Sequence, residues 1–246
     1  MIKKILRGFG AVSLALVPLT ASAPAQAARA PQGPQSAEVT TLADAVGLVK
    51  VVEENRTGYA PSHFKHWNAG LLPSDGCDTR NEVLLDEAVK APAVAAGCEL
   101  TGGTWQSYYD GQEASGPDTL GVVHTVPLAE ARDSGASAWS AARREAYAND
   151  QGASVSPAAV TARVNRQKAA QDPAEWIPPV PEAHCRYVGE WVTTKLRWQL
   201  TADNPETEAL KVFAEGPCED TVVHTPRPPG RTPPSTADPS PADDLA

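Results

Sequence analysis

Hydrophobic and polar positions along the chain change period several times, and each change marks an element. Leu42, Ala45, Val46, Leu48, Val49, Val51 and Val52 fall at helical spacing ahead of Arg56-Thr57-Gly58, which predicts an amphipathic opening helix with a glycine stop. Asp75-Gly76 marks a turn, and the run from 81 to 89 suits a helix or a short strand equally. Gly102-Gly103, Asp110-Gly111 and Gly116-Pro117 then punctuate two β-rich segments, 104–109 and 119–126, the pattern of a hairpin or meander. From Pro127 the text turns helical: "PLAEARDSGASAWSAARREAYAND" is rich in Ala, Leu, Arg and Glu, with Ser137 placed to cap its second half. Ser156 as N-cap and Pro157 at the first helical position predict another helix, running to Asp172-Pro173. Segments 182–200 and 205–214 read as two more. No internal repeat is present, and the expected class is α+β: a mostly helical domain around a small β-hairpin.

The ends follow other rules. Lys3, Lys4 and Arg7, an apolar run from 9 to 21 and small residues at Ala25 and Ala27 form the pattern of a secretory signal over 1–27, too short to span a bilayer comfortably. Residues 28–37 and 225–246 are nearly devoid of large apolar groups and are expected to be a disordered linker and Pro-rich tail, leaving 38–224 as the folded domain. Removal of the signal takes the net charge from -9 to -12. An acidic total disfavours nucleic-acid binding through a broad basic surface. With 23 prolines and 18 glycines the chain is no coiled coil, and at 41% apolar it is no multi-span membrane protein. After signal cleavage nothing would hold it in a membrane. Export also places Cys77, Cys98, Cys185 and Cys218 where disulfides persist. Three connectivities are open; nearness in sequence favours Cys77–Cys98 and Cys185–Cys218, and the lack of a C-x-x-C pair weakens zinc binding.

Few residues advertise chemistry, since no P-loop, G-x-S-x-G or H-E-x-x-H occurs. His63 and His66, three apart, would share a helical face as metal ligands or, flanked by Phe64 and Trp67, border the core. His124 lies late in an expected strand, where a lone histidine is structural or catalytic.

Read together, "DGCDTRNEVL" at 75–84, "VHTVPLAEARDSGASAW" at 123–139, "REAYAND" at 144–150 and "NRQKAAQDPAEW" at 165–176 resemble the secreted HNH-type nucleases of high-GC bacteria, relatives of the C-terminal domain of modification-dependent restriction enzymes. The likeness covers about 57–218, in order and with both cysteine pairs. It implies a ββα-metal core in which a hairpin and a helix clamp one divalent ion, Mg²⁺ or, in its place, Mn²⁺ or Zn²⁺. It also implies a transiently bound nucleic-acid substrate, DNA or RNA. His124 falls on the general base, Asn165 on the helix metal ligand, and Asn149 on the middle asparagine that orients the histidine or tethers its loop. Arg80, Arg166 and Lys168 are implied phosphate contacts, against a salt bridge for Arg80 and a solvated helix face for the other two; Trp139 and Trp176 read as packing. Val123 and Ala170 stand where the resemblance sets aspartates. Two functions are therefore open, a secreted metal-dependent endonuclease and an extracellular binding protein that kept the scaffold without the chemistry.

Overall fold

A computed structural model describes residues 38–152 and 157–225. The expected signal segment, the linker and the Pro-rich tail beyond residue 225 lie outside them. Strand β1 (Glu38–Thr41) leads straight into helix α1 (Leu42–Leu48), capped by Thr41, whose hydroxyl accepts from the Asp44 amide. The helix buries Leu42, Ala45 and Val46 and stops sooner than its pattern predicts. Val51 and Val52 stay partly exposed because their backbone runs along Ala202, with the Val52 amide donating to the Ala202 carbonyl at 2.9 Å. Asp78 settles the ambiguous run as helix α2 (Thr79–Asp86), its carboxylate accepting from the Asn81 amide.

Two hairpins follow, β2 (Ala93–Ala95) with β3 (Glu99–Thr101), and β4 (Thr104–Ser107) with β5 (Gln112–Ser115). The expected pairing of 104–109 with 119–126 is not formed. Instead β6 (Leu120–Val123) waits through helices α3 (Leu128–Asp133) and α4 (Ala141–Ala148), the latter capped by Ser140 rather than Ser137, and pairs antiparallel with β7 (Ala158–Thr161). Residues 158–161 were expected to be helical; they are a strand because the β6–β7 ribbon lies between two cores. Val123, Ala158 and Val160 enter the larger core, whereas Leu120, Val122 and Ala159 enter a smaller one with Val83, Leu84 and Trp105. A strand covered on both faces has no polar side to reveal its period. Thr161 then accepts from the Val164 amide and starts helix α5 (Ala162–Lys168).

Helices α6 (His184–Trp198) and α7 (Asn204–Ala214) come next, α7 opened by Asp203 as cap and Pro205 in the first turn. Strand β8 (Val222–Thr225) closes the fold by pairing antiparallel with β1, Glu38 opposite Thr225. Disulfides Cys77–Cys98 and Cys185–Cys218 form as expected; the second ties the start of α6 to the turn beyond α7. Inside the larger core, the fully buried Lys195 of α6 donates to Glu130 of α3 at 2.9 Å and to Glu206 of α7 at 2.6 Å, joining three helices by paired charge. Among the described residues no helix is long and apolar enough to cross a membrane. The architecture is thus α+β, with four two-stranded sheets set among helices in the described residues.

Candidate active site

The ribbon β6–β7 and the helix that leaves it, α5, make a ββα unit, and His124 is the first residue past its leading strand. The imidazole Nε2 lies 2.9 Å from the Ala148 carbonyl. A carbonyl only accepts, so Nε2 carries the proton of the neutral ring and Nδ1 keeps the lone pair. Trp67 stacks on one side at 5.7 Å between centroids and Tyr147 on the other at 6.1 Å, both within 23° of parallel. This sandwich leaves His124 only 8% exposed. Burial disfavours the imidazolium and lowers its pKa to about 4, against the pull of the Ala148 carbonyl. The ring is neutral at pH 7 and can accept a proton.

Asn149, at the end of α4, uses its whole side-chain amide on the protein. Its Nδ2 donates to the carbonyls of Lys65 (3.0 Å) and Glu145 (2.8 Å), while Oδ1 accepts from the Asn68 amide (3.0 Å) and the Thr79 hydroxyl (3.1 Å). It ties the His63–Asn68 segment to α4 and has no atom left for a substrate. Asn68 Nδ2 and Lys65 Nζ both donate to the Glu145 carboxylate, and Arg144 donates to the His63 carbonyl. The segment from His63 to Asn68 is therefore strapped across α4, and the strap carries Trp67 onto His124. At Trp67 φ is +57°, a left-handed conformation disfavoured for a bulky side chain and maintained by these contacts. His63 and His66 share no helical face, because the 3₁₀ turn ends at His63.

Asn165 sits one turn into α5 against Gly121 of β6, on the strand face shared with Val123 rather than that of Val122. A Cβ at 121 would come within 2.3 Å of Asn165 Nδ2, so glycine there makes room for the amide. Arg80 is half-buried on α2, with only 3.5 Å contacts to Asn81 Oδ1 and the Pro117 carbonyl and no ion pair among the described residues. Arg166 is exposed. Lys168 departs most from expectation. It is fully buried, its Nζ has no hydrogen-bond partner among the described residues, and it lies 5.3 Å from the Trp191 ring and 6.0 Å from that of Tyr187. Burial lowers its pKa to about 7. It cannot meet a substrate phosphate from there. Trp139 and Trp176 pack against the larger core as expected.

The donors present do not form a shell for a resident divalent ion. Val123 is in the core and Ala170 has no donor, which leaves the single amide oxygen of Asn165 on α5 from the expected ligand set. The one group of three carboxylates found among the described residues, Glu54, Glu130 and Glu206, already has Lys195 as its cation. Trp67 and Tyr147 are not legible as site residues in the sequence, where His66 reads only as a metal ligand with His63 or a core border. Trp67 and Tyr147 reach His124 through tertiary folding alone, and a histidine and a tryptophan beside a buried Phe64 look like any core border.

No known family profile matches the chain, and no solved structure does. The chain is 33% identical over 164 residues to an uncharacterized secreted protein of the fungus Arthroderma benhamiae, an alignment spanning 67% of this chain and 78% of the fungal one.

Proposed function

The chain belongs to the family of that secreted fungal protein and is itself secreted, and on this premise we propose that it is an extracellular endonuclease hydrolysing phosphodiester bonds of DNA or RNA, with His124 as general base. The observation that carries the reading is the ββα unit with a neutral, anchored imidazole at the end of its first strand and Asn165 on its helix. His124 Nδ1 would take the proton of a water whose oxygen attacks phosphorus. The ring returns it later, while Nε2 stays on the Ala148 carbonyl and fixes the tautomer. The Asn165 amide orients a phosphoryl oxygen, and Arg80 and Arg166 supply local positive charge on an acidic protein. The HNH core implied by the resemblance belongs to this proposal. The Mg²⁺ that the resemblance implies does not fit: the residues supply too few ligands to hold it, so no step is routed through it.

The test is conversion of supercoiled plasmid, and of single-stranded RNA, by the purified mature protein with Mg²⁺ and with EDTA. Wild type should nick or degrade nucleic acid, and His124→Ala should lose about 100-fold or more of that rate. Equal, intact substrate with both proteins would overturn the reading. The burial of Val123 and Lys168 favours a second reading, a binding protein on a nuclease scaffold. It predicts a salt-sensitive shift of DNA without cleavage, unaffected by His124→Ala.

A further inference from the structure

The loop that leads from α1 to the 3₁₀ turn at Pro61–His63 sends one side chain inward. Glu53 and residues 55–59 are exposed, whereas the Glu54 side chain is only 5% exposed. The main chain of 53–58 is tied to the rest of the fold by the Asn55 amide, which donates to the Asp133 carbonyl at 3.2 Å. Glu54 Oε2 accepts from Arg56 Nε at 2.7 Å, but Oε1 is buried with no hydrogen-bond partner among the described residues. One oxygen each of Glu54, Glu130 and Glu206 lie within 4.8 Å of one another. Lys195 has no proton left for Glu54. Its Nζ already donates to Glu130 (2.9 Å), the Ser134 hydroxyl (2.9 Å), the Thr201 carbonyl (2.7 Å) and Glu206 (2.6 Å). A carboxylate in that position faces like charge without a donor, and a proton on it removes the conflict.

We propose that Glu54 is a proton-operated latch, which holds loop 53–58 against α3 while its carboxyl is neutral and releases the loop when it ionises. Burial first, and the Glu130 charge after it, raise Glu54 to about 7 against the pull of Arg56. Against its own burial, Glu130 is kept below the usual carboxylate range by Lys195, so the proton resides on Glu54. The charged groups around the latch are Arg56 of the loop with its outer partner Glu175, Glu130, Arg132 and Asp133 of α3, Lys195 of α6 and Glu206 of α7. Between pH 4.5 and 7 the closed loop binds more protons than the open one, so closure weakens as pH rises through that window and the loss is complete above it. Because the chain runs on through Pro61–His63 into the strap that holds Trp67 on His124, release frees one end of that strap. The latch is independent of the nuclease reading.

Trypsin reads the open state, because cleavage of a transiently opened segment tracks its population. The bond after Arg56 lies in the loop, and the bond after the exposed Lys90, remote in sequence, is a reference for the protease's own pH dependence. Folded, purified wild type, Glu54→Gln and Glu54→Met are digested at pH 6 and 8.5, and fragments beginning at Thr57 and at Ala91 are quantified by mass spectrometry. In wild type the ratio of the Arg56 cut to the Lys90 cut should rise about 10-fold between the two pH values, the change expected when a carboxyl moves from about 7 to 4.5 on opening. In both variants the ratio should stay flat. Glu206, also raised to about 7, and Asp133 remain in the variants, so a rise that persists there would assign the effect to them and overturn the proposal. A flat ratio in wild type overturns it whatever the variants do.

Discussion

Lys168 shows how far one residue can depart from its surroundings. Val164 and Lys168 stand four apart on α5 and share the buried face, which places an ammonium among aromatic rings with no oxygen to receive its protons. The rings return part of the lost hydration through cation–π attraction, of about 2 kcal/mol in desolvated settings, and the remainder is a penalty on the charged native form. Its pKa falls from 10.5 to about 7, so between those values the unfolded chain binds more protons than the native one and stability rises with pH. Lys168→Met should therefore stabilise the protein at pH 6 by about 1–4 kcal/mol, with the gain vanishing by pH 10.5. Urea unfolding of both proteins at the two pH values checks this, and an equal effect at both would refute it. The sequence shows a lysine three residues after Asn165 and suggests a phosphate ligand; the four-residue spacing from Val164 is the signal that points inward. The roles of Cys77, Cys98, Cys185 and Cys218 were legible because export and nearness in sequence constrain them. The packing of Trp67 on His124 was not, since 57 residues separate the two and contacts with Asn149, Glu145 and Arg144 of the α4 region bring them together.

At the scale of elements, the ribbon β6–β7 is the part that the sequence concealed and the candidate site most requires. Two apolar segments separated by α3 and α4 were assigned to different neighbours, one to a local hairpin and one to a helix. Alanine-rich text after Ser156-Pro157 has high helix propensity, but long-range pairing with both faces covered overrode it. α7 was readable because it keeps a polar face and opens on Asp203 with Pro205 in the first turn, and α6 because its 15 residues run without a glycine or proline break except Gly189. The contact between Gly121 and Asn165 locks α5 onto this ribbon. Gly121→Ala should push the amide aside and lower stability by about 1–3 kcal/mol through overpacking, with a loss of nuclease turnover larger than unfolding accounts for. Thermal unfolding and plasmid cleavage measured on the same preparation check the pair of effects; unchanged turnover would mean that Asn165 does not orient the substrate.

Across the whole molecule, buried ionisable groups set an unusual dependence on pH. Burial raises Glu87 and Glu206 to about 7, and burial together with the neighbouring Glu130 does the same to Glu54. Between 4.5 and 7 these carboxyls bind more protons in the native state, so stability falls as pH rises through that window. His124, lowered to about 4, opposes them below 6.5, one group against three. Above pH 7 the Lys168 contribution has the opposite sign. The urea midpoint should therefore pass through a minimum near pH 7, higher at 5.5 and at 9, and in Lys168→Met the recovery above 7 should be lost; a midpoint highest at 7 would contradict the assignment. Such a profile suits a secreted protein that meets varied surroundings, and none of it could be read from composition, where these groups are merely part of a charge of -9. The antiparallel β1–β8 pair has a mechanical meaning as well. Because Glu38 faces Thr225, tension applied at residues 38 and 225 loads the four residue pairs one after another rather than together. The domain's boundary is thus a zipper that opens from its end, with the Cys185–Cys218 bridge a few residues inside β8 to limit peeling on the C-terminal side, whereas on the other side the load passes directly into α1.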